Sequence, residues 1–168
     1  MSVGAIEFDN SYKGVQGTPM RFEEWMEGTI VSKKGKSVQA EGINVDLMGH
    51  NLIVKEGENK LNTVSPQEVE RITFATTPTD ITMIVLPTTA FAKPKTDKLG
   101  FYEVLYDGQV QVIKRTEKLF QKADYDKPYS TGRQYDTFTP QHFYFVKKDT
   151  DEQYSTVRLA PKVLWKEL

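Results

Sequence analysis

The chain has 168 residues and carries 22 Lys and Arg against 23 Asp and Glu, so its net charge is −1 at neutral pH. One domain is expected at this length. The near-zero charge gives no basic excess for a nucleic-acid partner, and no apolar run is long enough for a membrane-spanning helix. The absence of cysteine excludes disulfides and thiolate chemistry. We therefore expect one β-rich domain over residues 1–168, with 1–16 as a candidate loose N-terminal arm.

In the first half of the chain, apolar and polar residues alternate with a period of two, which is typical of strands with one solvated face. A Lys-Lys-Gly turn between short apolar runs predicts a hairpin over residues 28–38. The alternation continues over 43–47, and two turns separate this strand from two further short strands. A helix-start pattern at 65–68 is followed at once by β-branched residues, so one helical turn at most is expected there.

In the second half, two prolines bracket a predicted strand at 81–86, since proline cannot donate to a ladder. An Asp-Gly turn between alternating runs predicts a hairpin over 101–115, with a positive φ at Gly108. The polar and aromatic stretch 124–140 predicts a long loop. A further strand is predicted at 143–146, and it is followed by a turn and a returning partner.

These elements predict an all-β fold of about ten strands with at most one or two short helices. Short connections favour an antiparallel meander between sequence neighbours. Closure as a barrel or a two-sheet sandwich would protect the edge strands. The helical spacing of Phe22, Trp25 and Met26 predicts a short amphipathic segment over one barrel mouth.

Three motifs follow one another along the chain. They are Gly17-Thr18-Pro19-Met20 with Glu27-Gly28 behind it, Gly100-Phe101-Tyr102-Glu103, and Gly108-Gln109-Val110 leading to Lys114. In this order they resemble an uncharacterised family of secreted or envelope β-rich proteins from Bacteroidota, over roughly residues 14–168. Met20 stands where the family usually has an aromatic residue. The resemblance implies an all-β body and a secreted or periplasmic location, and it brings no catalytic residues.

The predicted aromatic loop is the leading candidate for a binding surface. Aromatic rings with polar tips suit sugar faces and protein interfaces. The alternative is that these rings cover the open end of the sheet and complete the core. The candidate ligand- or partner-binding residues are Tyr125, Tyr129, Arg133, Tyr135, Phe138 and His142.

Catalytic and metal-binding signatures are missing from the sequence. His50 and His142 could each act as an acid or a base, but neither accompanies a nucleophile-elbow serine. No phosphate-binding glycine loop occurs. The acidic turn at 149–152 could attract a hard cation, although a solvated hairpin tip is the simpler interpretation. We therefore predict no catalytic residue, no cofactor and no metal.

The sequence favours a non-catalytic, exported or envelope-associated β module that assembles or binds a still unidentified protein or glycan. One alternative is a carrier for a small apolar or glycan ligand, which would enclose a cavity. A second alternative is a hydrolase built from scattered carboxylates and His142, which would show a cleft of groups with perturbed pKa values.

Overall fold

The computed structural model describes residues 14–57, 60–93, 99–124 and 134–157. Ten antiparallel strands form a single sheet, which confirms the all-β prediction. The strands are β1 Met26–Ser32, β2 Ser37–Asp46, β3 Asn51–Glu56, β4 Lys60–Val64, β5 Val69–Phe74, β6 Ile81–Leu86, β7 Gly100–Asp107, β8 Val110–Gln121, β9 Thr137–Lys148 and β10 Ser155–Val157. Within these ranges the helical content is one 3-10 turn at Thr88–Ala90.

The strand order is β10-β9-β8-β7-β6-β5-β1-β2-β3-β4, so two meanders are joined through β1 and β5. Pairing between sequence neighbours is therefore right except at this junction, where β5 lies beside β1 instead of β4. Glycine permits the junction, because Gly28 pairs with Phe74 of β5 and a Cβ at residue 28 would collide with the backbone of that strand. Within the described ranges no ladder joins β4 to β10, so the sheet is not closed into a barrel. No helix in these ranges is long and apolar enough to cross a membrane.

The β7–β8 hairpin forms as predicted, but its turn differs from the expected type. Asp107 pairs with Gln111, which leaves three residues in the loop. Gly108 is not among the glycines with positive φ, so the expected left-handed conformation at this residue is wrong. The two-residue turns that require positive φ are replaced here by a longer loop.

The predicted loop at 124–140 is too long, because β9 begins at Thr137. Pro140 lies within β9, opposite Lys118 of β8. Proline is tolerated because, among the described residues, β10 pairs only with residues 144–146 of β9, so no described partner strand needs a hydrogen bond from residue 140. The predicted amphipathic turn at 22–26 is also wrong, since the chain bends there and β1 begins at Met26.

Two hydrophobic clusters occupy opposite faces of the sheet. Neighbouring side chains on a strand point to opposite faces, so Phe101 joins the first cluster and Tyr102 the second. The first cluster contains Ile43, Val45, Leu47, Leu52, Val69, Ile72, Phe74, Met83, Val85 and Phe101. The second contains Phe91, Tyr102, Ile113, Phe145 and Tyr154. Because β7 contributes to both clusters, it links the two cores.

Residues 16–21, here called the strap, connect strands that lie far apart in the sheet. Gln16 exchanges two backbone hydrogen bonds with residues at the start of β9, and Arg21 N donates to Val45 O of β2 at 2.8 Å. A flat sheet would separate β9 from β2 by about 29 Å, whereas five residue steps span at most about 18 Å. The sheet therefore curves towards the face that carries the strap. Phe22 marks this face, because its ring packs on Phe74 of the first cluster.

Candidate binding site

The structure describes three of the six predicted site residues, namely Tyr135, Phe138 and His142. Tyr125, Tyr129 and Arg133 lie outside the described residues. Tyr135 precedes β9 and is 53% exposed. Phe138 is buried in β9, and its ring lies 5.4 Å from that of Phe120. His142 is exposed on the same face of β9 as Phe138, four residues further along.

Around His142 the register of β7, β8 and β9 gathers a set of polar side chains on the strap side of the sheet. Glu103 of β7 stands opposite Lys114 of β8, and Thr116 of β8 stands opposite His142 of β9. Lys118 follows on the same face of β8, since alternate residues of a strand share a face. We call Arg21, Glu103, Lys114, Thr116, Lys118 and His142 the cationic cluster.

Glu103 is the centre of the cationic cluster. It is 8% exposed, and its two carboxylate oxygens accept hydrogen bonds from two different cations. Arg21 Nη2 donates to Oε2 at 2.9 Å, and Lys114 Nζ donates to Oε1 at 2.9 Å. A desolvated carboxylate needs such partners to remain charged. Each oxygen thus accepts a hydrogen bond from one cation, and the single negative charge of Glu103 is shared between Arg21 and Lys114.

Arg21 brings the strap into contact with the sheet. Its guanidinium carbon lies 4.6 Å from the centroid of the Phe22 ring, which is close enough for a cation–π contact. Its Nε is buried and has no hydrogen-bond partner among the described residues. Buried donors in folded proteins are nearly always paired. The cluster therefore contains more donors than acceptors.

Lys118 and His142 lie at the solvent side of the cluster. Burial, followed by repulsion from Arg21, lowers the pKa of Lys118, while attraction to Glu23 opposes this change. Burial, followed by repulsion from Lys114 and Arg21, lowers the pKa of His142. Burial is the larger cause of both shifts, and the repulsion that adds to it shows that positive charge lies near both side chains.

The remaining contacts of these two side chains are few. His142 Nδ1 lies 3.0 Å from Thr116 Oγ1, at hydrogen-bond distance. In the part of the chain that the structure describes, Lys118 forms no ion pair. The cluster thus holds three cations, Arg21, Lys114 and Lys118, around the buried carboxylate of Glu103. The exposed Glu23 also attracts Lys118, which leaves one positive charge in excess when both carboxylates are counted.

A second buried cation on the opposite face is fully accommodated. Arg115 is 3% exposed, and its Nε lies 2.9 Å from Glu117 Oε1. Its Nη1 donates to the Tyr102 hydroxyl at 3.2 Å. Gly100 makes room for it, since a Cβ there would lie 2.9 Å from Nη1. Arg115 is therefore a structural residue, and the cationic cluster differs from it in having surplus positive charge.

The acidic turn after β9 is a hairpin tip in which Asp151 Oδ2 accepts a hydrogen bond from the backbone of Lys148 at 3.1 Å. No group of three or more His, Asp or Glu side chains that could hold a metal ion occurs among the described residues.

Of the cationic cluster, sequence analysis identified His142 alone. The available signal was the alternation Lys114, Thr116, Lys118 along one face of a predicted strand. That face would ordinarily be interpreted as solvated, since lysines are mostly exposed. Only the strap, which covers part of this face, makes the lysines half-buried.

Comparison of the chain with protein-family models, with curated proteins and with solved structures finds no match.

Proposed function

We propose that this protein is a non-catalytic binding module that holds a ligand at the cationic cluster on the curved face of its sheet. The observation that carries the proposal is the surplus of half-buried positive charge around Glu103, next to a solvent-exposed His142. The proposal includes export to the cell envelope or beyond, which is supported by the motif resemblance to secreted proteins of Bacteroidota.

The charge arrangement favours binding over a purely structural role. Removing cations from water costs free energy that close pairing must offset. Arg21 and Lys114 offset this cost through Glu103, but Lys118 lacks an ion-pair partner among the described residues. A charged group that is costly to bury and stands beside solvent-exposed side chains is a candidate for a ligand site. A bound ligand would supply the missing counter-charge or acceptors.

Two neighbouring residues on β9 provide a matched test of this site. His142 and Gln141 are both exposed, but they point to opposite faces of the strand. His142→Trp would place an indole ring over the exposed side of the cluster, whereas Gln141→Trp would add the same bulk on the other face. The probes are neutral, basic and acidic monosaccharides, and binding is followed by 1H–15N NMR of the labelled protein.

We expect at least one sugar to bind the wild type and Gln141→Trp with saturation, and to lose binding to His142→Trp. Equal binding to both variants, or no saturable binding in the wild type, would contradict the proposal. Fractionation of cells that produce the full protein tests the export component. Recovery from the cytosol alone would refute that component.

A further inference from the structure

We propose that the group recognised at the cationic cluster is an oxyanion, a carboxylate or a phosphate, carried by a small organic molecule. This inference rests on the proposed function and names the chemistry of its ligand. In this proposal, Lys118 and His142 contact the oxyanion directly. Arg21 and Lys114, which pair with the buried Glu103, contribute positive potential without touching the ligand.

The first argument is the charge count at the site. Lys118 adds to a half-buried set in which Glu103 is already shared by Arg21 and Lys114 through both oxygens. The attraction between a ligand anion and these cations is stronger here than at the open surface, because half-burial lowers the effective dielectric constant. The cluster therefore favours an anion over a neutral ligand of the same shape.

The second argument is the surplus of hydrogen-bond donors. The Lys118 ammonium carries three donors, and buried Arg21 Nε has no acceptor among the described residues. When Thr116 donates to His142 Nδ1, the neutral ring carries its proton on Nε2 and offers a further donor to the ligand. Each oxygen of Glu103 already accepts a hydrogen bond from a cation. A ligand that carries hydrogen-bond acceptors would therefore bind here more tightly than one that carries donors. Oxyanions accept hydrogen bonds and donate none, and bonds to a charged donor are the stronger kind.

The third argument concerns the size of the ligand. The cluster spans three neighbouring strands, β7 to β9, and spacing between paired strands is about 4.8 Å. This width suits a single compact oxyanion and the ring that carries it. A carboxylate and a phosphate group both fit this chemistry, and isosteric sugars can tell them apart.

The test uses the complete protein and three probes that share one sugar ring, namely glucose, glucuronate and glucose 6-phosphate. Each is titrated at one ionic strength, set with sodium chloride, because salt screens the attraction between charges. Backbone amide shifts in 1H–15N spectra locate the bound sugar. Lys118→Gln removes the cation, and Lys122→Gln removes an exposed lysine from the end of the same strand as a control.

We expect glucuronate or glucose 6-phosphate to shift the amides of Thr116, Lys118 and His142 with saturation, while glucose leaves them in place. Lys118→Gln should weaken this binding at least about tenfold, equivalent to about 1.4 kcal/mol. Lys122→Gln should bind as the wild type does. The stronger of the two acids identifies the carboxylate or the phosphate as the recognised group.

Three results would overturn the inference. They are equal binding of glucose and the acids, no saturable binding of either acid to the wild type, and equal weakening by Lys118→Gln and Lys122→Gln. The wild-type titration decides the first two even if a variant fails to fold. If glucose binds the wild type and His142→Trp abolishes this binding, the oxyanion inference is refuted but the proposed binding function is not. The two proposals can therefore fail separately.

Discussion

At the scale of single residues, Gly28 determines how closely β1 and β5 can pair. A Cβ at this position would collide with the carbonyl oxygen of Thr73 and would lie 2.8 Å from Cδ1 of Ile43. The Thr73 oxygen is part of the backbone of β5 and cannot move without disturbing the sheet, while Ile43 is fully buried and has little room to yield. The absence of a side chain at residue 28 is therefore what allows the two meanders to join.

We predict that Gly28→Ala lowers the free energy of unfolding by about 2 to 3 kcal/mol, the range typical of overpacking a core. Gly108→Ala is the control, because a Cβ there would meet only the outer ring atoms of the exposed Tyr106. Its effect should stay within about 0.5 kcal/mol. Urea unfolding of both variants measures the difference, and equal losses would contradict this account of the junction.

His142 provides a prediction that depends on pH. Its pKa lies below the ordinary value, through burial and through repulsion from Lys114, Arg21 and Lys118, against the attraction of Glu103. Because the unfolded state then binds the proton more readily, this residue contributes stability that is present above about pH 6.5 and is lost as pH falls towards the folded pKa.

Removal of one cation should reverse part of this shift. We expect Lys114→Gln to raise the pKa of His142, as measured by NMR titration of the imidazole proton signals. Lys55→Gln is the control, because Lys55 lies on β3 and contributes nothing to the shift of His142. A pKa of His142 that stays unchanged in Lys114→Gln would show that the cluster exerts no electrostatic effect on the ring.

At the scale of elements, one buried side chain secures the segment between the strap and β1. Asn44 is 3% exposed, and its Nδ2 donates to the carbonyl oxygens of Phe22 at 2.9 Å and Glu24 at 3.2 Å. Its Oδ1 accepts from Phe22 N and Val45 N. This side chain therefore replaces the ladder hydrogen bonds that are lost where the chain bends ahead of β1.

We predict that Asn44→Ala destabilises the protein by about 3 kcal/mol, since it leaves several backbone groups unpaired. Hydrogen exchange should accelerate first at amides of the strap. Asn51→Ala removes a single bond in an exposed turn and should cost less than about 0.5 kcal/mol. Unchanged exchange in the strap of Asn44→Ala would show that other contacts hold it.

How well a feature can be predicted from the sequence depends on whether the interactions that produce it are local or join distant parts of the chain. Strand β6 was predicted to the residue, because its boundaries depend on local proline and β-branched signals. The pairing of β5 with β1 could not be predicted, because it depends on space above Gly28 rather than on a pattern within either strand. The cationic cluster required both the register of three strands and the position of the strap. Only His142, at a predicted strand start, could be recognised as a candidate.

At the scale of the whole molecule, the two hydrophobic clusters should unfold together. They lie on opposite faces, but β7 supplies Phe101 to one and Tyr102 to the other. Loss of either core would therefore release the strand on which the other depends. This arrangement is consistent with one cooperative domain, which is the expectation for a chain of this length.

We predict a single calorimetric transition that both Phe74→Leu and Ile113→Val move to lower temperature. Phe74 belongs to the first cluster and Ile113 to the second, and both are fully buried. The calorimetric and van't Hoff enthalpies should agree, as they do in a two-state transition. Two resolved transitions, each moved by only one of the variants, would show that the faces unfold independently.

The strap also determines when the fold can be completed during synthesis. Its hydrogen bonds join Gln16 to Phe138, which lies 122 residues further along the sequence, so Gln16 must wait for a partner that is made much later. Such high contact order slows folding, because a long loop must close before the contact forms. A growing chain can pair β1 to β4 early, but it cannot tie the strap to β9 until both have emerged. The contact that ties the curved sheet together therefore forms late, after most of the ladders that it spans.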